Sequence, residues 1–161
     1  MSFTVRFAKK EDMKSVHELI TELAIFEKEP NAVEIRVEDL IRDGFSKNPQ
    51  FRVFVAEEDQ KIIGMALFYE RYSTWKGKAL HLEDLIVTQS KRNLGVGKAL
   101  YTELMNYAQE HNYQRVAWEV LDWNQGAIHF YKQTGAQVYD EWRIVHMNKE
   151  GLHTFTQKLS L

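Results

Sequence analysis

The chain contains no cysteine. That excludes disulfides, zinc–thiolate sites, iron–sulfur clusters and cysteine nucleophiles together. Its two prolines, Pro30 and Pro49, stand where helical patterns have ended. No uncharged apolar run approaches the ~20 residues of a membrane span, and no secretory leader is visible in Met1–Lys10, which already reads as a strand and a turn. A basic excess is missing too. The 21 Lys and Arg against 23 Asp and Glu leave a net charge of −2, so neither duplex nucleic acid nor an anionic membrane is favoured as a partner. The six histidines show no ligand spacing, so no metal is expected, and there is no Gly-x-Ser-x-Gly elbow for a serine nucleophile.

What is present suits a folded chain. Hydrophobic residues make up 44% and aromatic residues 12% of the 161 positions, against disorder. With no linker or repeat, residues 1–161 are expected to form one domain, soluble and cytoplasmic.

Phe3–Phe7 alternates apolar and polar residues as a half-buried strand does. Met13, Val16, Leu19, Ile20, Leu23 and Ala24 mark one face of a helix over Glu11–Glu27, and a shorter helix covers Val37–Asp43, stopped by Gly44. Phe51–Glu57 and Ile62–Arg71 read as strands joined by the polar Glu58–Lys61 loop, and Leu80–Thr88 as another. A helix opens near Gly97, with Leu100, Leu104, Tyr107, Ala108 and His111 on one face. Arg115–Leu121 reads as a strand, and Asn124 starts a helix that ends at Gly135. Gln137–Met147 and His153–Leu159 are expected as the last two strands. Hairpins beside βαβ segments imply an α/β fold: a mixed, mostly antiparallel sheet of about six to seven strands flanked by about four helices.

The chemistry concentrates after the Leu80–Thr88 strand. Arg92-Asn93-Leu94-Gly95-Val96-Gly97-Lys98 lies between that strand and a helix. The glycines let a ligand approach the backbone, the helix start offers free amides to an anion, and Arg92 and Lys98 add positive charge. Such a loop suits a pyrophosphate. It is not a P-loop, because Ala99 follows Lys98 and Arg92 stands at the first glycine's place. Nor is it a dinucleotide fingerprint, because Leu100 replaces the third glycine. An ordinary Gly-rich turn remains the alternative.

The Arg-x-x-Gly-x-Gly pattern resembles the acetyl-CoA loop of the GNAT superfamily of N-acetyltransferases. Val120–Gln125 and Phe130-Tyr131-Lys132-x-x-Gly135-Ala136 resemble that superfamily's last block. Glu22–Lys28, Asp43-Gly44-Phe45, Tyr72–Gly77 and His81–Asp84 resemble its diamine acetyltransferase branch. Within it, Ser73–Gly77 and Leu121–Gln125 look most like the thialysine N-epsilon-acetyltransferases and next like the spermidine/spermine N-acetyltransferases. The polyamine enzymes tend to carry Asp where Ser73 stands. Asn93 replaces a glycine common among relatives, and Asn tolerates left-handed backbone angles.

The resemblance implies transfer of acetyl from acetyl-CoA to a primary amine in a homodimeric enzyme. With no cysteine to carry the acyl group, the amine is expected to attack directly in a ternary complex. Glu83 is implied as the base, acting through water, and Tyr131 as the acid, since a phenol near pKa 10 is protonated at neutral pH. Leu85, Ile86 and Val87 are implied to pair with the cofactor's arm and supply an oxyanion amide. Arg92 to Lys98, Asn124, Gln125, Gly126 and Tyr131 complete the cofactor set. Phe26, Glu27, Trp75, Glu83, Asp84, Glu141 and Trp142 form the implied amine pocket, where acids and aromatics suit an ammonium. The residues alone leave alternatives. Ile128 and Tyr131 have the spacing of core, Asn124 of a cap, Glu27 of a solvated helix end, and Trp75 of packing. On a regular strand Glu83 and Asp84 face opposite sides, whereas His81 shares Glu83's face and is placed to tune it. The leading expectation is acetylation of thialysine or a lysine-like amine; the rivals are diamine or polyamine acetylation, protein acetylation, and a non-catalytic acetyl-CoA-binding module.

Overall fold

The computed structural model describes residues 2–158, and the chain divides after Glu119 into two compact units. The first unit is built on one sheet of five strands in the order β1-β2-β3-β4-β5. Strand β1 (Thr4–Phe7) pairs antiparallel with β2 (Arg52–Glu58), β2 with β3 (Lys61–Ser73), and β3 with β4 (Gly77–Val87). Strand β5 (Arg115–Ala117) lies parallel to β4. Asp59 and Gln60 both take positive φ, +48° and +62°, the sign pattern of the two-residue hairpin turn whose twist matches its strands. At the β3–β4 turn the Ser73 hydroxyl oxygen accepts from the Trp75 and Lys76 amides at 3.3 and 3.1 Å. That is how a short polar side chain closes a tight turn.

Alternation along the strands divides the sheet between two layers. Val53, Val55, Met65 and Ile86 pack with Met13, Val16 and Leu19 of α1 (Met13–Phe26) and Leu40 of α2 (Val37–Gly44). Phe54, Ala66, Phe68, Leu80 and Leu82 pack with Leu100 and Leu104 of α3 (Val96–Glu110). Fully burying a side chain such as Leu100 contributes about 1.5–3 kcal/mol, and every residue in these two sets is at most 7% exposed. The Arg6 guanidinium bridges Asp12 at 2.7 Å and Glu57 at 2.6 Å, tying the chain entering α1 to the sheet.

In the second unit Asn124 precedes α4 (Gln125–Gln133) and its side chain accepts from the Ala127 amide at 3.3 Å. Gly135, at φ +90°, closes that helix. Helix α5 spans Lys149–Lys158, with the Asn148 side chain accepting from the Gly151 amide at 2.8 Å.

Three strand expectations are corrected. Arg115–Leu121 shortens to Arg115–Ala117, because β5 finds a partner only along Ala79–His81. Gln137–Met147 forms no strand. Of His153–Leu159, residues up to Lys158 are helical, and Leu159 lies outside the described residues. A strand needs a neighbouring edge, and the described part of the second unit holds none; a helix needs only local bonds once Asn148 has capped it. Among the described residues the sheet therefore has five strands where about six to seven were expected, and there are five α-helices where about four were.

Candidate active site

The acidic centre is made by an irregularity in β4. Leu67 pairs with Asp84 but Phe68 pairs with Leu82, so Glu83 is an extra residue opposite no partner. The bulge shifts the alternation by one. Leu82 before it, and Leu85 and Val87 after it, all serve the α3 core, while Ile86 joins the α1 core. Asp84, two residues before Ile86, therefore belongs to the α1 side. Glu83 reaches that side as well, with Oε2 3.5 Å from His81 Nε2. The expectation that Glu83 and Asp84 face opposite sides is corrected, because it assumed a regular strand. The expectation that His81 lies beside Glu83 holds.

Burial, with the charges of Glu83 and Glu27, pushes the Asp84 carboxyl up to about 6. Burial also raises Glu27, which follows the last residue of α1. Burial and the Glu83 charge raise the Tyr69 phenol, on β3 opposite His81. Three carboxylates within each other's field favour a bound cation over bulk water. Phe26 stands beside Glu27, its ring 5.1 Å from the Arg92 guanidinium carbon.

The loop after β4 brings main-chain donors to one place. Asn93 and Gly95 take φ of +62° and +84°, so Asn93 does adopt the left-handed angle that a glycine adopts at no steric cost. The first intrahelical bond of α3 runs from the Ala99 amide to the Gly95 carbonyl at 3.0 Å. The amides of Val96, Gly97 and Lys98 therefore have no partner within the helix. Buried Val96 anchors the turn while Leu94 and Lys98 are exposed. A Cβ on Gly97 would lie 3.5 Å from Val87 Cγ2, so the helix start sits close against β4. Arg92 Nε donates to the Val87 carbonyl at 2.9 Å, and its Nη2 lies 3.4 Å from Glu22. Glu22 also accepts from the Gln89 amide at 2.7 Å. Glu22 is thus an organiser of this loop; the sequence places it in a motif block but does not disclose its partners, which are 67 and 70 residues away.

Strand β4 pairs with β5 only along Ala79–His81. Among the described residues, Leu82–Val87 has no strand on that side. An open edge beside three free helix-start amides fits a ligand that joins an amide-containing arm to a pyrophosphate.

Other expected site residues lie elsewhere. Trp75 is in the β3–β4 turn, 80% exposed, about 20 Å along β4 from Glu83 at 3.3 Å per residue. In the second unit Asn124 caps α4, and Gln125 Nε2 donates to the Asp122 carbonyl at 2.6 Å. Gly126 has open space where a Cβ would stand. Tyr131 is the buried residue of α4, and its carbonyl accepts from the Thr134 hydroxyl at 2.7 Å. Glu141 and Trp142 are exposed in an irregular segment.

The family model described as "Acetyltransferase (GNAT) family" matches residues 13–136. Thialysine N-epsilon-acetyltransferase of Bos taurus is 35% identical over 159 residues, 94% of this chain and 89% of that one. Spermidine/spermine N(1)-acetyltransferase-like protein 1 of Homo sapiens is also 35% identical, over 93% of this chain; the chain spans only 23% of that protein's length. The solved structure of an integron cassette protein from the V. cholerae mobile metagenome superposes with a TM-score of 0.79 at 26% identity, covering 98% of this chain and 99% of that one. The matched residues, the identity along nearly the full chain and the shared fold agree: the chain belongs to the GNAT family of N-acetyltransferases.

Proposed function

We propose that this enzyme transfers acetyl from acetyl-CoA to the side-chain amine of thialysine or a lysine-like substrate, by direct attack in a ternary complex. The observation that carries the reading is the acidic centre of Glu27, Glu83 and Asp84, in which Asp84 is pushed up to about 6 by burial and by two like charges. Such a centre lowers its own free energy by holding an ammonium.

Acetyl-CoA, when bound, supplies an acetyl thioester whose carbonyl accepts the nucleophile. Asp84 and Glu27 hold the ammonium, and Phe26 adds an aromatic face. Glu83 receives the proton that the ammonium must lose, through water. Along Leu85, Ile86 and Val87 the main-chain groups that face the open edge bind the arm, and an amide among them stabilises negative charge on the carbonyl oxygen. The amides from Asn93 to Lys98, with Arg92 and Lys98, bind the pyrophosphate, and Asn124, Gln125 and Gly126 contribute to the same ligand. Tyr131 gives its proton to the departing thiolate. Glu141 and Trp142 are assigned to the outer amine pocket, whereas Trp75, about 20 Å along β4 from Glu83, is too distant to share an ammonium with it. Residues 1–161 make up a single N-acetyltransferase domain, in a cytoplasmic homodimer.

A second reading, acetylation of diamines or polyamines, is supported by the number of carboxylates and by the 35% identity to the spermidine/spermine N(1)-acetyltransferase-like protein. The Ser73 oxygen already accepts two turn amides, so its presence argues less against a polyamine than the residue type alone implies. The test is thiol release from acetyl-CoA with thialysine, lysine, putrescine, spermidine, spermine and a short peptide. The chain itself adds no thiol background. Preference for thialysine or lysine supports the leading reading. Preference for spermidine moves the enzyme to the second. Binding of CoA without turnover of any amine would instead indicate a non-catalytic module.

A further inference from the structure

We propose that His81 is a positioning residue for Glu83, holding the carboxylate of the bulge through Nε2–H while Arg71 sets the imidazole tautomer. The proposal rests on the reading of Glu83 as the base. A bulge residue has no cross-strand partner to orient it, and the Glu83 side chain is 52% exposed. Two neighbours hold it: the Tyr69 hydroxyl donates to the carboxylate, and His81, whose side chain is 10% exposed, brings Nε2 to 3.5 Å from Oε2. On the other side of the ring, Arg71 Nη1 lies 3.5 Å from Nδ1. Arginine only donates, so Nδ1 accepts, and the ring proton sits on Nε2, toward Glu83.

The packing keeps the imidazole there. Tyr69 on β3 is paired with His81 in register, their ring centroids 5.1 Å apart. On β5 the opposing residue is Ala117. The remaining charged and titratable groups facing this spot are Asp84 on β4, Glu27 at the end of α1 and Glu119 beyond β5. Apart from Arg71, and Tyr69, whose raised phenol keeps the proton it donates to Glu83, all are acids. A donor on a carboxylate favours its ionised form against such neighbours, and a fixed orientation keeps it aimed at the amine.

The experiment compares His81→Leu, His81→Gln, Arg71→Met, Glu83→Gln and the His81→Leu/Glu83→Gln pair, recording kcat against pH, acetyl-CoA KM and the unfolding midpoint. His81→Leu should lower kcat about 10-fold or more, leave acetyl-CoA KM unchanged, and move the acidic limb of the profile up by about half to one pH unit. Gln keeps an N–H donor, so His81→Gln should recover most of kcat. Exposed Arg71 can be replaced without touching the core, and Arg71→Met should move the limb in the same direction. In the Glu83→Gln background His81→Leu should add nothing. A His81→Leu effect of equal size with and without Glu83 would make the role one of packing and overturn the proposal. So would a loss of kcat of about 10-fold in His81→Gln together with an unmoved limb in Arg71→Met, which decide the matter if His81→Leu does not fold. If Glu83→Gln alone leaves the profile unchanged, the base assignment falls first and the positioning role with it.

Discussion

Glu83 and Asp84, neighbours in the chain, lie on the same side of the sheet because β4 carries one residue more than β3 opposite Leu67 and Phe68. Glu83, with Glu27 from the end of α1, therefore adds to the cost that burial places on charging Asp84. The arrangement costs stability when empty and favours a cation when one binds.

Asp84→Asn should stabilise the free protein at neutral pH. The folded-state value of about 6 exceeds the unfolded value of 3.8, so the folded state holds the proton more tightly. Stability is then full below about pH 4 and is lost as pH rises toward 6. At about 1.36 kcal/mol per unit the loss above pH 7 is up to about 3 kcal/mol, and Asn avoids it. Thermal unfolding of both proteins from pH 4 to pH 8 checks this. The two curves should nearly coincide near pH 4, separate between pH 4 and pH 6 and run parallel above pH 7; a gap constant from pH 4 to pH 8 would reject the charge explanation.

Glu83→Gln should move activity to higher pH, where more of the amine is already unprotonated and no base is needed. A pH–rate profile that overlays the wild-type one would reassign the base.

Tyr131→Phe should lower turnover on the order of 10²-fold, the usual worth of a general acid, with acetyl-CoA affinity nearly intact. Calorimetric titration with CoA beside steady-state kinetics separates the two. Loss of affinity in proportion to turnover would indicate packing within the cofactor's site instead of proton transfer.

Gly64→Ala should destabilise the first unit. Gly64 pairs with Val87, and a Cβ there would lie 2.9 Å from the Ile86 carbonyl oxygen, 3.2 Å from Leu100 Cδ1 and 3.3 Å from Val87 Cγ2. A backbone carbonyl cannot move aside cheaply, so the cost is about 1–3 kcal/mol, or about 2–4 °C in unfolding midpoint per kcal/mol. An unchanged midpoint would mean that the strands separate freely at this point.

The residues by themselves determined whatever rests on local bonds and simple periods. The apolar faces of α1 and α3, the cap at Asn124, and the left-handed angle at Asn93 all follow from nearby residues, and the structure bears them out. The acidic and glycine-rich segments could also be located in this way, though not the geometry that unites Glu27 with Asp84. Tertiary structure alone decided the bulge at Glu83, the open edge of β4 beyond His81, and the partners of Glu22. It also decided that Gln137–Met147 stays irregular and that a helix ends the described chain. The reason is physical. A turn or a cap is stabilised by atoms a few residues away, whereas a register, a bulge or an edge is a choice between strands far apart in sequence, and period-two patterning is equally satisfied whether or not a partner arrives.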